Sequence, residues 1–256
     1  MTITVDRHGA VAVVTLDRPE TKNAITNEMR GQLYGAFEEI ALDHAVRAVI
    51  LTGAGSDFCS GMDVGGMGRG GVTGSMDRMH TLNRIARAIH SLKKPTIAAV
   101  QGVCVGVGFS YALACDIVLA GEKARFAAIF RNIALAPDGG LVWHLRQRMP
   151  IQKAKELVYS GRLIAADEAV ELGLALEKVA DDALMARAMD MATRFAAGPT
   201  IAMGLAKRQF DLAWNAGFDQ YLDMEATMQP IASRTEDHEE GLKAFREKRK
   251  PEFRGE

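Results

Sequence analysis

Three short pieces of the sequence carry groups that could act together at one site: residues 58–63 (FCSGMD), 106–110 (GVGFS) and 137–140 (PDGG). In the middle piece, Gly102, Gly106 and Gly108 break an apolar run at close intervals. Glycine tolerates positive φ and lets another backbone or a ligand approach closely. A helix starting near Phe109 leaves backbone N–H groups free beside Gly106, at its positive end. Such a place can hold a negatively charged oxygen; the alternative is a plain strand–turn–helix corner whose glycines only permit tight packing. The three pieces hold two acids, Asp63 and Asp138. Asp138 precedes Leu141, Val142 and Trp143, and burial there would raise its pKa above ~3.9, towards the range of a general base. An aspartate just before a helix is also a common N-cap, and the sequence leaves both roles open.

Other chemistries find little support. The histidines, His8, His44, His80, His90, His144 and His238, make no HxxxH and have no paired carboxylates at ligand spacing, so no metal is expected. There is no GxSxG, since the stretch from Gly108 to Ala112 lacks its second glycine. Residues 65–74 (GGMGRGGVTG) carry one basic residue, Arg69, and no GK[ST]. They read as a flexible flap rather than a phosphate cradle. Lysine plus arginine (31) nearly balance aspartate plus glutamate (32), which argues against nucleic acid or a membrane surface as partner. Cys59, Cys104 and Cys115 form no CxxC; they read as buried thiols in a reducing cytoplasm. The first residues lack a signal-peptide pattern, and no apolar run approaches the ~20 residues that span a bilayer.

The elements that must position the three pieces alternate between strands and helices. Residues 3–6 and 11–17 read as a hairpin turning at His8-Gly9. A helix over about 27–43, capped by Thr26 or Asn27, places Met29, Leu33, Phe37 and Ile40 on one face. Buried strands follow at 45–52, 96–101 and 116–120, with a helix over about 76–91 between the first two. Further short helices and a strand at 174–179 lead to four helices, over about 181–197, 199–214, 217–234 and 236–247. The pattern predicts a parallel α/β sheet followed by a helical tail. In such a sheet adjacent strand ends share one edge, so the three pieces can converge on one pocket.

The chain resembles the crotonase, or enoyl-CoA hydratase/isomerase, superfamily. The resemblance lies in Asp17-Arg18-Pro19, Asn23-Ala24-Ile25, Ile50-Leu51-Thr52-Gly53, residues 58–63, residues 95–102 (PTIAAVQG) and Gly106-Val107-Gly108. It continues through Cys115-Asp116-Ile117, Phe126, residues 137–140 and residues 248–253 (KRKPEF). The order and spacing of these pieces are more specific than any one of them. The resemblance implies an α/β crotonase-like ββα spiral over residues 1–195, carrying the CoA site. It implies a helical C-terminal trimerisation region over 196–256, with a homotrimer or homohexamer as the assembly. Acyl-CoA thioesters are the implied substrates, with coenzyme A carried by the substrate and no other cofactor.

Within that family pattern the backbone N–H groups of Met62 and Val107 form an oxyanion hole. Ala24, Ser60, Gly61, Asp63, Gly106, Ser110 and Phe130 fall along the substrate and CoA path, with Asp63 supporting its own loop. Arg18 and Lys22 match basic residues placed near CoA phosphates, and residues 248–253 match a segment that reaches a neighbouring subunit's CoA. Hydratases of the family carry two glutamates at the positions of Ser110 and Phe130, and neither residue here can act as a carboxylate. Asp138 matches an aspartate that shuttles a proton in several of the family's isomerases. The expected activity is therefore double-bond isomerisation with Asp138 as base. The alternatives are an atypical enoyl-CoA hydratase, a 4-chlorobenzoyl-CoA-dehalogenase-like enzyme with Asp138 as nucleophile, and a non-catalytic CoA-binding subunit.

Overall fold

The computed structural model describes residues 2–63, 65 and 71–256, and only the backbone of Ser75. Arg69 and most of the glycine-rich segment read as a flap lie outside the described residues.

The hairpin forms where expected. β1 (Ile3–His8) and β2 (Val11–Leu16) pair antiparallel, turning at Gly9 with φ +62°. Thr26 caps α1 (Asn27–Leu42): its hydroxyl accepts the Met29 N–H at 3.1 Å. β3 (Ala48–Gly53), β4 (Thr96–Val100), β6 (Ile117–Gly121) and β9 (Glu177–Val179) extend the sheet in parallel, in the order β1-β2-β3-β4-β6-β9. β3 and β4 are buried along their whole length, which fits continuous apolar runs rather than alternating ones.

β2 alternates between two cores. Val11 and Val13 face α7 (Leu184–Ala196), while Ala12, Val14 and Leu16 join the larger core with α1 and α2 (Gly71–His90). The sheet is thus packed on both faces. α2 begins before the expected start near 76, so residues 71–74 of the supposed flap are its first turn. Gly71 and Gly74 are weak helix formers, and that turn is held by the long helix continuing from it.

A second, three-stranded sheet has the order β5-β7-β8, made of β5 (Val103–Val105), β7 (Arg125–Ala127) and β8 (Ile164–Ala165). β5 had read as part of a glycine turn. A three-residue strand between glycines shows no periodicity, so only pairing with β7 reveals it. Gly102 (φ +52°) sends the chain from the first sheet to the second, and a Cβ there would lie 2.1 Å from the Ser56 carbonyl oxygen. α3 (Val107–Ala114) follows β5 directly and is buried throughout. α4 (Leu141–Arg148), α5 (Ile151–Ser160) and α6 (Ala166–Glu171) lead back to β9. α8 (Thr200–Asn215), α9 (Phe218–Ala232) and α10 (Glu236–Glu247) close the chain, and α9 buries none of its residues.

Candidate active site

The loop after β3 is stitched to two neighbours. Cys59 pairs in parallel with Cys104: its N–H donates to the Val103 carbonyl at 2.8 Å, and its carbonyl accepts the Val105 N–H at 2.9 Å. Three residues on, Ile25 pairs in parallel with Met62, through Ile25 N–H to Gly61 O (2.8 Å) and Asp63 N–H to Ile25 O (3.0 Å). In a parallel bridge both bonds use the same residue, here Ile25, so the Met62 N–H is directed to the opposite side. On that side the backbones of Gly61 and Gly106 nearly touch. A Cβ on Gly61 would lie 3.3 Å from the Val105 carbonyl oxygen, and one on Gly106 would lie 3.5 Å from the Gly61 Cα. Gly106, at φ +58°, is the residue before α3, so the Val107 N–H belongs to the first turn and has no helical partner. The fold thereby brings the 58–63 loop and the start of α3 together, with Met62 and Val107 on facing backbones.

The third piece sits on the same turn of α3. A Cβ on Gly139 would lie 2.8 Å from the Ser110 Cβ and 3.4 Å from the Val107 Cγ2. The Ser110 hydroxyl donates to the Asp138 main-chain carbonyl at 2.8 Å, which also accepts the Leu141 N–H at 3.2 Å. The N-cap of α4 is Gly140, with no side-chain capping bond, so the alternative of Asp138 as a cap does not hold. Its carboxylate is left unused: Oδ1 is buried without a partner, and burial pushes the carboxyl up to about 6. The shift is due to lost hydration, not to a neighbouring charge.

Ser110 itself is fully buried. Its expected place along the substrate path is corrected to a positioning role, since its hydroxyl is committed to the loop that carries Asp138. Ser110→Ala is expected to lower stability by about 1 kcal/mol, measured by urea unfolding, because a buried carbonyl loses one of its two donors.

Other expected ligands also turn inwards. The Arg18 guanidinium donates to the Ala24 carbonyl at 3.0 Å and pairs with Asp63 at 3.1 Å. It ties the first loop to the 58–63 loop instead of pointing at a phosphate. Asp63 is held below the usual carboxylate range by the Gly65 N–H and by Arg18, so it supports its loop. The Ser60 hydroxyl donates to the Thr21 carbonyl (2.9 Å) and its N–H to the Lys22 carbonyl (2.8 Å), so Ser60 too is a staple. Lys22 is exposed, and its ammonium has no partner among the described residues. Phe130 is buried in the larger core. Residues 248–253 fold back along α10, where Arg249 pairs with Glu240 (2.6 Å) and Glu247 (2.7 Å).

Two residues escaped sequence reasoning, Arg30 and Tyr111. Both are buried beside these loops with unpartnered polar atoms. A signal was present for Arg30. It shares the buried stripe of α1 with Met29, Leu33 and Phe37, where an arginine is out of place.

Among the described residues no three His, Cys, Asp or Glu side chains are grouped to hold a metal ion. The two histidines that do meet, His90 and His144, stack edge-to-face at 5.4 Å with Trp143 beside them, and burial brings His144 down to about 3. All three cysteines are free and buried. No described helix is long and apolar enough to cross a membrane.

Comparison with known proteins extends over the whole chain. The family described as "Enoyl-CoA hydratase/isomerase" matches residues 6–256. The 1,2-epoxyphenylacetyl-CoA isomerase of Escherichia coli (strain K12) is 36% identical over 251 residues, 96% of this chain and 95% of that protein. A probable enoyl-CoA hydratase of Rhodobacter capsulatus is 34% identical, covering 99% of this chain and 98% of its own. The crystal structure of an enoyl-CoA hydratase from Bacillus anthracis superposes with a TM-score of 0.95 at 31% identity, over 100% of both chains.

Proposed function

The chain belongs to the enoyl-CoA hydratase/isomerase family, with its crotonase fold and its acyl-CoA chemistry, and we propose that its own reaction moves a double bond in an enoyl-CoA thioester. One observation carries this reading: Asp138, with a buried and unpartnered carboxyl oxygen, sits on the loop that packs against the same turn of α3 as Val107, whereas Ser110 and Phe130 supply no second acid.

The thioester oxygen is held by the Met62 and Val107 N–H groups. The Asp138 carboxylate takes a proton from the carbon between the double bond and the thioester carbonyl. The electron pair spreads over the dienolate, whose charge rests on the oxygen between the two N–H donors. The Asp138 carboxylic acid then returns the proton to the far end of the dienolate, which leaves the double bond conjugated with the carbonyl. Coenzyme A enters and leaves as part of the substrate, and the proposed reaction consumes no other group.

Hydration would need a water activated from a second position. The Ser110 hydroxyl is buried and already donates to the Asp138 carbonyl, which counts against a Ser110-held water. The likeness to a relative named as an isomerase supports the same choice. A 3-enoyl-CoA and a 2-enoyl-CoA offered separately decide it. The expected result is formation of the conjugated thioester from the first without hydration of the second. Rapid hydration of the 2-enoyl-CoA overturns the isomerase reading, and chloride release from 4-chlorobenzoyl-CoA would make Asp138 a nucleophile instead.

For the CoA end, Lys22 is the remaining basic candidate of the first loop. Lys22→Ala is expected to raise KM for the thioester by about three- to tenfold and leave kcat unchanged, the size of one exposed ion pair with a phosphate. Homotrimers or homohexamers are proposed as the assembly. Their support is the exposed apolar set Phe210, Trp214, Phe218 and Phe245 on α8–α10. Molecular mass by sedimentation equilibrium tests this. The free, buried thiols suit a cytoplasmic location.

A further inference from the structure

Four buried polar atoms around the three loops have no partner among the described residues: Arg30 Nε and Nη1, Tyr111 Oη and Asp138 Oδ1. Arg30 is 4% exposed and Tyr111 is fully buried. The charges of both Asp138 and Arg30 act on the Tyr111 phenol, so the three groups are neighbours. The groups whose charges act on Arg30 are Tyr111 and a second cation, Arg78 of α2; no carboxylate is among them. A buried guanidinium with two N–H groups open, beside a phenol O–H that is also open, is an anion site without its anion.

Its position relative to the thioester follows from the helices. Tyr111 is four residues after Val107, on the same face of α3 and one turn on. Arg30 is four residues after Thr26, which follows the Ile25 that pins Met62, so it lies about 6 Å along α1. Tyr111 is therefore roughly one helical turn beyond the Val107 donor, and Arg30 neighbours it.

Resting on the reading of this site as an acyl-CoA site, we propose that Arg30 and Tyr111 bind a carboxylate at the far end of the acyl group, so that the preferred substrates are short dicarboxylic acyl-CoA thioesters. A carboxylate can accept one N–H of the Arg30 guanidinium in a charge-assisted bond and has lone pairs left for a phenol O–H. An unsubstituted alkyl end leaves the buried guanidinium unpaired, which makes the pair a specificity device as well as an attractive one. Lysine would supply the charge from a flexible stem rather than a rigid plane.

The test compares binding of two saturated thioesters of equal chain length, hexanedioyl-CoA and hexanoyl-CoA, by calorimetry. Neither is turned over, so binding is read apart from the reaction. Wild-type protein is expected to bind the diacid at least about tenfold more tightly. Arg30→Met should abolish that preference while the protein stays folded, Arg30→Lys should keep part of it, and Tyr111→Phe should reduce it several-fold. Equal or tighter binding of hexanoyl-CoA by wild type overturns the proposal. So does a preference that survives Arg30→Met. If the diacid preference is found but no enoyl-CoA is isomerised, the reaction assignment fails and the carboxylate site stands. If neither thioester binds, the acyl-CoA site reading falls and this proposal with it.

Discussion

Asp138→Asn is expected to lower kcat for double-bond movement by about 10³-fold, within the range that a positioned general base contributes. Affinity for CoA thioesters should change little, because the carboxylate is not among the groups expected to grip the CoA. The pH profile gives the sharper readout. With the carboxyl at about 6, kcat/KM should rise through pH 6 and level off above it, as the ionised base forms. Stability should move the other way. The folded carboxyl titrates above its ordinary 3.8, so between about pH 4 and 6 the folded chain binds more protons than the unfolded chain. Stability from this group is therefore complete below pH 4 and is lost as the pH rises through 6. Asp138→Asn removes the penalty and should stabilise the protein by roughly 1–2 kcal/mol at pH 8, and hardly at all at pH 4. Thermal unfolding at the two pH values measures it. A variant equally active, or destabilised at pH 8, would show that the carboxyl is neither the base nor strained by burial.

The difference between Asp138 and its neighbours explains what was legible in the sequence. The pairing of strands with helices, the cap at Thr26 and the convergence of the three pieces follow from periodicity and turn chemistry, which are local. Asp138 could be singled out because acids are scarce in the three loops. What its side chain does not do, which is cap α4, depends on two positive-φ glycines that move the cap to Gly140. Arg18, Ser60 and Ser110 were placed along the substrate and CoA path by the family resemblance. A guanidinium or hydroxyl serves a carbonyl of the same chain as readily as a substrate, and only the folded loops show which: Ala24 O, Thr21 O and Asp138 O. β5 escaped because three residues carry no period. Arg30 was hidden differently. Helix 27–43 was judged by its apolar residues, and the arginine sharing their stripe was passed over.

The second large effect is expected at Gly108. Its place is inside α3, where alanine ordinarily stabilises a helix by about 1 kcal/mol over glycine. Here a Cβ would lie 2.5 Å from the Cys59 Cβ, 2.7 Å from its Sγ and 2.9 Å from its carbonyl oxygen. Cys59 cannot retreat, because its N–H and carbonyl are both bonded to the chain around Cys104. The cost must fall on the gap between α3 and the 58–63 loop, which is where Met62 and Val107 face each other. Gly108→Ala is thus expected to move one oxyanion donor out of reach and lower kcat by about 10²-fold, the loss seen when a single such donor is removed. Net stability should fall by about 1–2 kcal/mol, overpacking outweighing the helix gain. Gly31→Ala in α1 is the control, since nothing lies within 4 Å of its Cβ position, and it should leave kcat unchanged and raise stability slightly. The pH midpoint near 6 should persist in Gly108→Ala with a lowered plateau, because Asp138 keeps its surroundings while the oxyanion loses a donor. Were kcat to stay within about threefold of wild type while Tm fell, the clash would have been absorbed without parting the loops.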